Sequence, residues 1–303
     1  MTNTTTNPRD IAVEIVHGFV DGDKGGNPAG VVLDADDLTE PDMLAIAASV
    51  GLSETAFVSQ SASEGFKFDF FTPNRRIAHC GHATIAAFSH LDALSRIDNP
   101  ETSKETIDGP RRIRMKAGAA YMEQLAPKYQ KLTDWKEAGV SLEAVLSSLG
   151  LEEGALDPTF PSVLVNTGNS FIVLAVKSGK QLASLKPDFA AISDISERLD
   201  LIGYYIFTTD QSATKRDATA RMFAPRYAIE EEAATGMAAG PLACLLHDFG
   251  PNAKEIYDIE QGTFMTPASP SLIHVELETK GGKITSLMAG GQGKVMRSLT
   301  VTI

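Results

Sequence analysis

Cysteine is scarce: Cys80 and Cys244 are the only two, and they lie in different halves of the chain. Residues 1–10 are polar and lack the apolar core of a secretory signal, so a disulfide-stapled extracellular scaffold is disfavoured and a cytoplasmic protein with reduced thiols is expected. The ~18 consecutive uncharged apolar residues that a membrane-spanning helix needs do not occur. Basic residues are in the minority, 27 against 39 acidic, for a net charge of -12 and a pI near 5.0. Nucleic acid and anionic membranes are therefore excluded as expected partners, and the charge serves solubility. There is no Walker loop, no strand-linked G-x-G-x-x-G and no G-x-S-x-G, which removes the main support for nucleotide-binding and α/β-hydrolase readings.

What is present is an ordinary globular composition. The 303 residues, 43% of them apolar, suffice for one large core or two domains, and two are expected. Residues 11–19 read as a strand, 21–28 as a long glycine-rich turn and 29–33 as a second strand. Residues 41–50 have helical spacing at Met43, Leu44, Ala47 and Ala48, and Gly51 ends that helix. Residues 52–58 form a short apolar strand with one acid, Glu54, inside it, and 66–71 another strand. The stretch 71–88 breaks at Pro73 and opens, through Cys80-Gly81-His82, into a small-residue helix that ends near Leu94. Residues 95–110 are polar and expected to be a loop, and 111–122 a strand pair turned at Ala117-Gly118. The charged stretch 127–135 marks the boundary between halves. Residues 141–149 are helical with Gly150 as the stop, and glycines at 281–282 and 290–293 punctuate the last strands.

The same order recurs. Thr167-Gly168-Asn169-Ser170 and the apolar run after it echo Gly26-Asn27-Pro28-Ala29 and the run to Leu33, and residues 192–208 repeat the helix and strand of 44–58. Phe223-Ala224-Pro225 repeats Phe71-Thr72-Pro73, and Thr235-Gly236-Met237-Ala238 repeats Cys80-Gly81-His82-Ala83. One such echo is cheap, but four in one order, each roughly 150 residues apart, indicate a duplicated fold. Two halves, each with a glycine-led helix start, are expected to share a cleft, a preferred place for ligands.

A helix that begins at Gly81 lets a ligand approach the backbone closely. Its first N–H groups have no partner inside the helix, so a carboxylate or developing oxyanion is favoured there. Glu54 is the residue whose setting points to chemistry. Alternation places it with Leu52, Ala56 and Val58, opposite Ser53, Thr55 and Phe57. A carboxylate on that apolar side is costly to desolvate unless paired or protonated, the condition in which it takes and returns a proton near neutral pH. His82 suits hydrogen bonding to a substrate or a proton relay. Cys80 stands at the helix N-terminus, where the dipole favours a thiolate; its counterpart is Thr235, so a symmetric two-thiol racemase is disfavoured and Cys80 is accessory. His79, Cys80, His82 and His90 lack the paired spacing of a zinc site, and no metal is expected. Glu230, Glu231 and Glu232 precede the second helix start, where one acid suits a cap and three together suit a proton relay or an ammonium group.

Five segments in order, Gly26 to Leu33, Leu52 to Val58, Phe71-Thr72-Pro73, Cys80 to Thr84 and Arg221 to Gly240, resemble the PhzF-like family of phenazine biosynthesis, relatives of diaminopimelate epimerase, over nearly the whole chain. The resemblance implies an α+β fold of two pseudo-symmetric halves, each a barrel-like, mostly antiparallel sheet wrapped around a central helix, with the active site between them. The expected halves are 1–128, completed by about 290–303, and 129–289. It further implies Glu54 as the acid/base, substrate binding by Gly81, His82, Gly236 and Met237, no cofactor, and a homodimer; Asn27 and Glu232 join them as candidate substrate-binding residues. The implied reaction is a cofactor-free isomerisation of the kind that moves a proton between carbons of trans-2,3-dihydro-3-hydroxyanthranilate. The family's Glu-Asp-Pro-Ala-Thr-Gly-Ser-Ala reads here Glu231-Glu232-Ala233-Ala234-Thr235-Gly236-Met237-Ala238, which lengthens one acid and removes a hydroxyl, and Arg76 replaces the last residue of Phe-Thr-Pro-x-x-Glu. The expectation is therefore a cytoplasmic isomerase or epimerase acting on a small carboxylate-bearing metabolite. The rivals are a non-catalytic binding or regulatory protein that keeps the fold and, with less support, a hydrolase using Cys80 or Ser53.

Overall fold

A computed structural model describes residues 8–303. Of the polar stretch 1–10, residues 1–7 lie outside the described residues, while Arg9 N already bonds Ile303 O at 2.9 Å and Asp10 opens the first strand. The chain divides into two units: the residues up to Gly18 with Pro28–Tyr121 and Gln292–Ile303, and Phe19–Asn27 with Met122–Gly291.

The first unit holds β1 (Asp10–Gly18), β2 (Asn27–Val32, all but its first residue), α1 (Glu40–Val50), β3 (Thr55–Ser59), β4 (Phe66–Phe71), β5 (Arg76–Ile77), α2 (Gly81–Ala93), β6 (Glu101–Glu105), β7 (Arg111–Lys116) and the start of β8 (Ala119–Leu125). β2 pairs parallel with β3, β3 antiparallel with β4, β4 parallel with β6 and β6 antiparallel with β7. β1 runs antiparallel to residues 293–302. Local signals set α1: Thr39 and Asp42 form a capping box, and Gly51 ends the helix in the left-handed region at φ 69°. The two faces of β3 and β4 serve different helices. Phe57 and Phe71, edge to face at 5.6 Å, pack with Met43, Ile46 and Ala47 of α1. Ala56, Val58, Phe68 and Phe70 share the other face by register, and there Phe68 stacks on Phe88 of α2 at 5.1 Å. Every residue from Gly81 to Ser89 is buried, so α2 is enclosed on all sides. Gly18 and Gly293, paired across strands, allow the helix to lie on bare backbone: a Cβ on Gly18 would sit 2.7 Å from the His82 carbonyl oxygen, and one on Gly293 2.8 Å from Ser89 Cβ.

The second unit holds the rest of β8, then β9 (Lys128–Gln130), α3 (Leu132–Trp135), α4 (Leu142–Ser147), β10 (Val163–Asn166), β11 (Ser170–Ala175), α5 (Gly179–Ala183), α6 (Phe189–Arg198), β12 (Gly203–Thr208), β13 (Ala218–Ala224), β14 (Ile229–Glu232), α7 (Gly236–Phe249), β15 (Ile256–Gln261), β16 (Ser271–Lys280) and the first part of β17 (Lys283–Thr302). Pairings run β11 parallel to β12, β12 antiparallel to β13, β13 parallel to β15 and β15 antiparallel to β16. That is the series made by β2, β3, β4, β6 and β7, with α6 in the place of α1 and α7 in the place of α2, so the sequence echoes are one topology used twice. Asp188 caps α6 through Ala190 N and Ala191 N, and Ile192 and Ile195 bury against Trp135, Tyr204 and Phe223.

Two expectations are corrected. Residues 101–105 are strand β6, not loop. Residues 128–135 hold β9 and α3, and Trp135 is fully buried in the core of the second unit. The glycines at 290–293 lie within β17, whereas Gly281 and Gly282 make the turn before it at φ 59° and 75°. Among the described residues no helix is long and apolar enough to cross a membrane.

Candidate active site

Glu54 stands immediately before β3, not inside a strand running over 52–58. Leu52 packs with the cluster around Phe57 on the α1 side, so alternation does not extend back to it. Glu54 keeps the register of Ala56 and Val58, the side that meets α2, and Gly30 N fixes its backbone by donating to Glu54 O at 3.0 Å. The side chain is buried, with 7% of the residue exposed. Glu54 Oε2 lies 3.3 Å from Nε2 of the equally buried His82, the second residue of α2. Among the described residues Oε2 has no hydrogen bond of good geometry. On the other side of the ring, His82 Nδ1 lies 3.6 Å from Cys80 Sγ.

The expectation of a thiolate at Cys80 is corrected. Burial pushes the thiol up further than His82 pulls it down, and Glu54 adds to the rise; a helix terminus in dry surroundings does not offset that loss of water. A protonated thiol donates toward Nδ1, which leaves Nε2 as the N–H that faces Glu54, a tautomer assigned from the partners. The ligating atoms of Glu54, Cys80 and His82 fall within 4.8 Å of one another. The Cys80 sulfur and the Glu54 carboxylate are therefore near one another as well as near the imidazole, a set of three atoms close enough to hold one ion.

The second glycine turn belongs to the second unit, where it is held from several sides. Asn27 Nδ2 donates to Ala234 O at 3.0 Å, and Gln124 Nε2 donates to Gly236 O at 2.9 Å. Gln261 is fully buried; its Oε1 accepts from Tyr205 Oη at 2.9 Å and Thr235 N at 3.1 Å, while its Nε2 donates to Glu232 O at 2.7 Å and Thr235 Oγ1 at 3.1 Å. All four bonding positions of that amide are in use. The Thr235 hydroxyl donates to the Glu232 carboxylate, and Asn169 Nδ2 donates to Met237 Sδ at 3.3 Å. The three acids serve different ends: Glu231 accepts from Arg221 Nε and Nη2 at 2.7 and 2.8 Å, Glu230 is exposed, and Glu232 faces Thr235. Arg76 pairs with Asp69 and, at 3.5 Å, with Glu40.

The structure thus gathers Glu54, Gly81, His82 and Cys80 at one helix start and Asn27, Glu232, Gly236 and Met237 at the other, with Asn27 bonded to the turn's own backbone. Sequence reasoning passes over Lys104, Gln124 and Gln261. Gln261 carries a signal, since it completes the buried alternation of Tyr257 and Ile259 in β15. Lys104 carries none, in a strand reading Glu-Thr-Ser-Lys-Glu.

Residues 16–298 match the family model of phenazine biosynthesis-like proteins. The chain is 34% identical over 227 residues to an uncharacterized isomerase of Clostridium acetobutylicum, covering 73% of this chain and 74% of the relative. It is 29% identical over 300 residues to the trans-2,3-dihydro-3-hydroxyanthranilate isomerase of Pseudomonas chlororaphis, covering 95% and 98%. The crystal structure of the Bacillus anthracis phenazine biosynthesis protein of the PhzF family superimposes with a TM-score of 0.86 at 25% identity, over 97% of this chain and all of that one. With the family's motifs in place, its fold repeated in both units and its isomerases similar along the length of the chain, this protein belongs to the phenazine biosynthesis-like family and is an isomerase.

Proposed function

We propose that this isomerase moves a proton between carbons of a small carboxylate-bearing metabolite, with Glu54 as acid/base and no cofactor. The observation that carries the reading is a buried Glu54 carboxylate, 3.3 Å from His82 Nε2 at the start of an enclosed helix, whose Oε2 has no hydrogen bond of good geometry. Such an oxygen is kept from water and left available to a proton. Glu54 takes the proton from a carbon joined to the substrate carboxylate through a carbon–carbon double bond, and the electron pair moves along that conjugated system into the carboxylate. The first-turn N–H groups of α2 receive the added negative charge, and Glu54 returns the proton at the carbon beside the carboxylate as the charge flows back and the double bond shifts. Donors already in place for an anion contribute several kcal/mol to such a step. Gly236 and Met237 enter the proposal as substrate-binding residues through the family resemblance, and Asn27 and Glu232 because they stand at the same turn, bonded to Ala234 O and to the Thr235 hydroxyl.

Proton NMR in D2O tests this with trans-2,3-dihydro-3-hydroxyanthranilate first, because a relative is named for it, and then with a panel of cyclic and amino-acid carboxylates. Deuterium is expected to enter one carbon position with the parent protein. Glu54→Gln is expected to fold normally and to lose exchange by at least about a hundredfold, the usual contribution of a general base. Exchange in the variant within about tenfold of the parent removes Glu54 from the role. Ligand line broadening without exchange by the parent would favour a non-catalytic binding protein.

A further inference from the structure

A lysine with no solvent exposure lies beneath the start of α2. Lys104 Nζ donates to Thr84 Oγ1 at 2.5 Å, sits 3.1 Å from His79 Nδ1, and stands 4.7 and 5.7 Å from the ring centres of Phe70 and Phe68. No carboxylate pairs with it among the described residues. Thr84 Oγ1 in turn donates to Cys80 O at 2.6 Å. The direction of the chain is fixed by its last member: a carbonyl only accepts, so the hydroxyl gives its proton there and receives from the amine.

That carbonyl shares one rigid peptide plane with the N–H of Gly81, the first residue of α2. A hydrogen bond to its oxygen holds the plane, aims the N–H away from it, and strengthens that N–H as a donor. Glu54 Oε2, buried without a hydrogen bond of good geometry, lies at the same helix start, 3.3 Å from His82. We propose that Lys104 is a positioning residue of the anion-binding end of α2, acting through Thr84 and the Cys80–Gly81 peptide to orient and polarise the Gly81 N–H. This rests on the reading of that helix start as the place where substrate charge is held. Burial keeps the Lys104 amine well below its ordinary range, with Cys80 pulling it back and Arg111 adding to the fall; burial, Lys104 and Arg111 hold His79 low as well. A neutral amine still has the N–H that Thr84 requires.

The test uses Lys104→Met, which keeps the length without the donor, Thr84→Val, which keeps the shape without the hydroxyl, and Thr84→Ser, which keeps the hydroxyl. In the substrate-free protein both Lys104→Met and Thr84→Val should move the Gly81 amide proton upfield by more than the other α2 amides, with Thr84→Ser close to the parent. With the compound that the parent turns over, the same two variants should lose about tenfold in kcat, or roughly 1.4 kcal/mol, with little change in KM. A Gly81 amide that stays in place in both variants overturns the proposal, as does a shift in Lys104→Met alone, because the route through Thr84 then fails. Should Lys104→Met not fold, the Thr84 pair decides. The amide reading needs no turnover, so an active Glu54→Gln protein would sink the proposed reaction while leaving this result to be read separately.

Discussion

Lys104 buried without a counter-charge makes stability depend on pH in a definite direction. Its amine is held well below the ordinary value of 10.5 in the folded protein, so between the folded value and 10.5 the unfolded chain binds the extra proton. Stability therefore rises with pH across that window and is lost as pH falls through it. The thiols act oppositely: Cys80 and Cys244 are both raised from 9.0 by burial, so above about 9 unfolding releases protons and stability falls again. Urea unfolding at a series of pH values should give a parent protein whose stability climbs toward pH 9. Lys104→Met should have a shallower climb, the difference approaching at most about 1.4 kcal/mol per pH unit; equal slopes would show that the amine keeps its proton when folded. At this scale Glu54, His82 and Cys80 were legible because each sits in a contiguous motif. The protonation of Cys80 was not, because it depends on burial assembled from distant parts of the chain, and Lys104 was hidden by a strand with no apolar alternation.

For the elements, the close seat of α2 is the sensitive feature. Because a methyl group on Gly18 would meet the backbone of His82, not the flexible end of a side chain, Gly18→Ala is expected to cost about 1–3 kcal/mol in denaturant unfolding, in the manner of an overpacked core. It should also slow exchange by displacing His82. Gly154→Ala, where an added Cβ meets nothing within 4 Å, should stay within about 0.5 kcal/mol of the parent. Elements bounded by local signals were readable in advance: Gly51 after α1, Ser141 at the start of α4, and the turn at Ala117-Gly118, whose φ values of 51° and 77° suit a tight hairpin. β6 and β9 were not, since short polar strands exist only by pairing with neighbours that the local sequence does not reveal.

On the scale of the whole molecule, the repeated order of motifs made the duplicated topology visible, because topology follows the sequence of elements. The passage of 19–27 into the second unit, and the registry of β1 with residues 293–302, had no local signature, as such pairing joins segments almost a chain length apart. Residues 8–121 alone keep the pairing of β1 with β2 but lack its second partner, residues 293–302, and are expected to give a poorly dispersed NMR spectrum; fusing residues 292–303 ahead of β1 should restore a folded first unit. A well-dispersed spectrum from 8–121 alone would show that the closing strand is dispensable. The same arrangement has a consequence during translation. β1 leaves the ribosome before residues 122–291, yet the strand it joins at 293–302 is polymerised only after all of them, at roughly 5–20 residues per second. For that interval the nascent chain carries an open strand edge of the kind that invites aggregation, and the order of synthesis favours maturation of the second unit before the first can close.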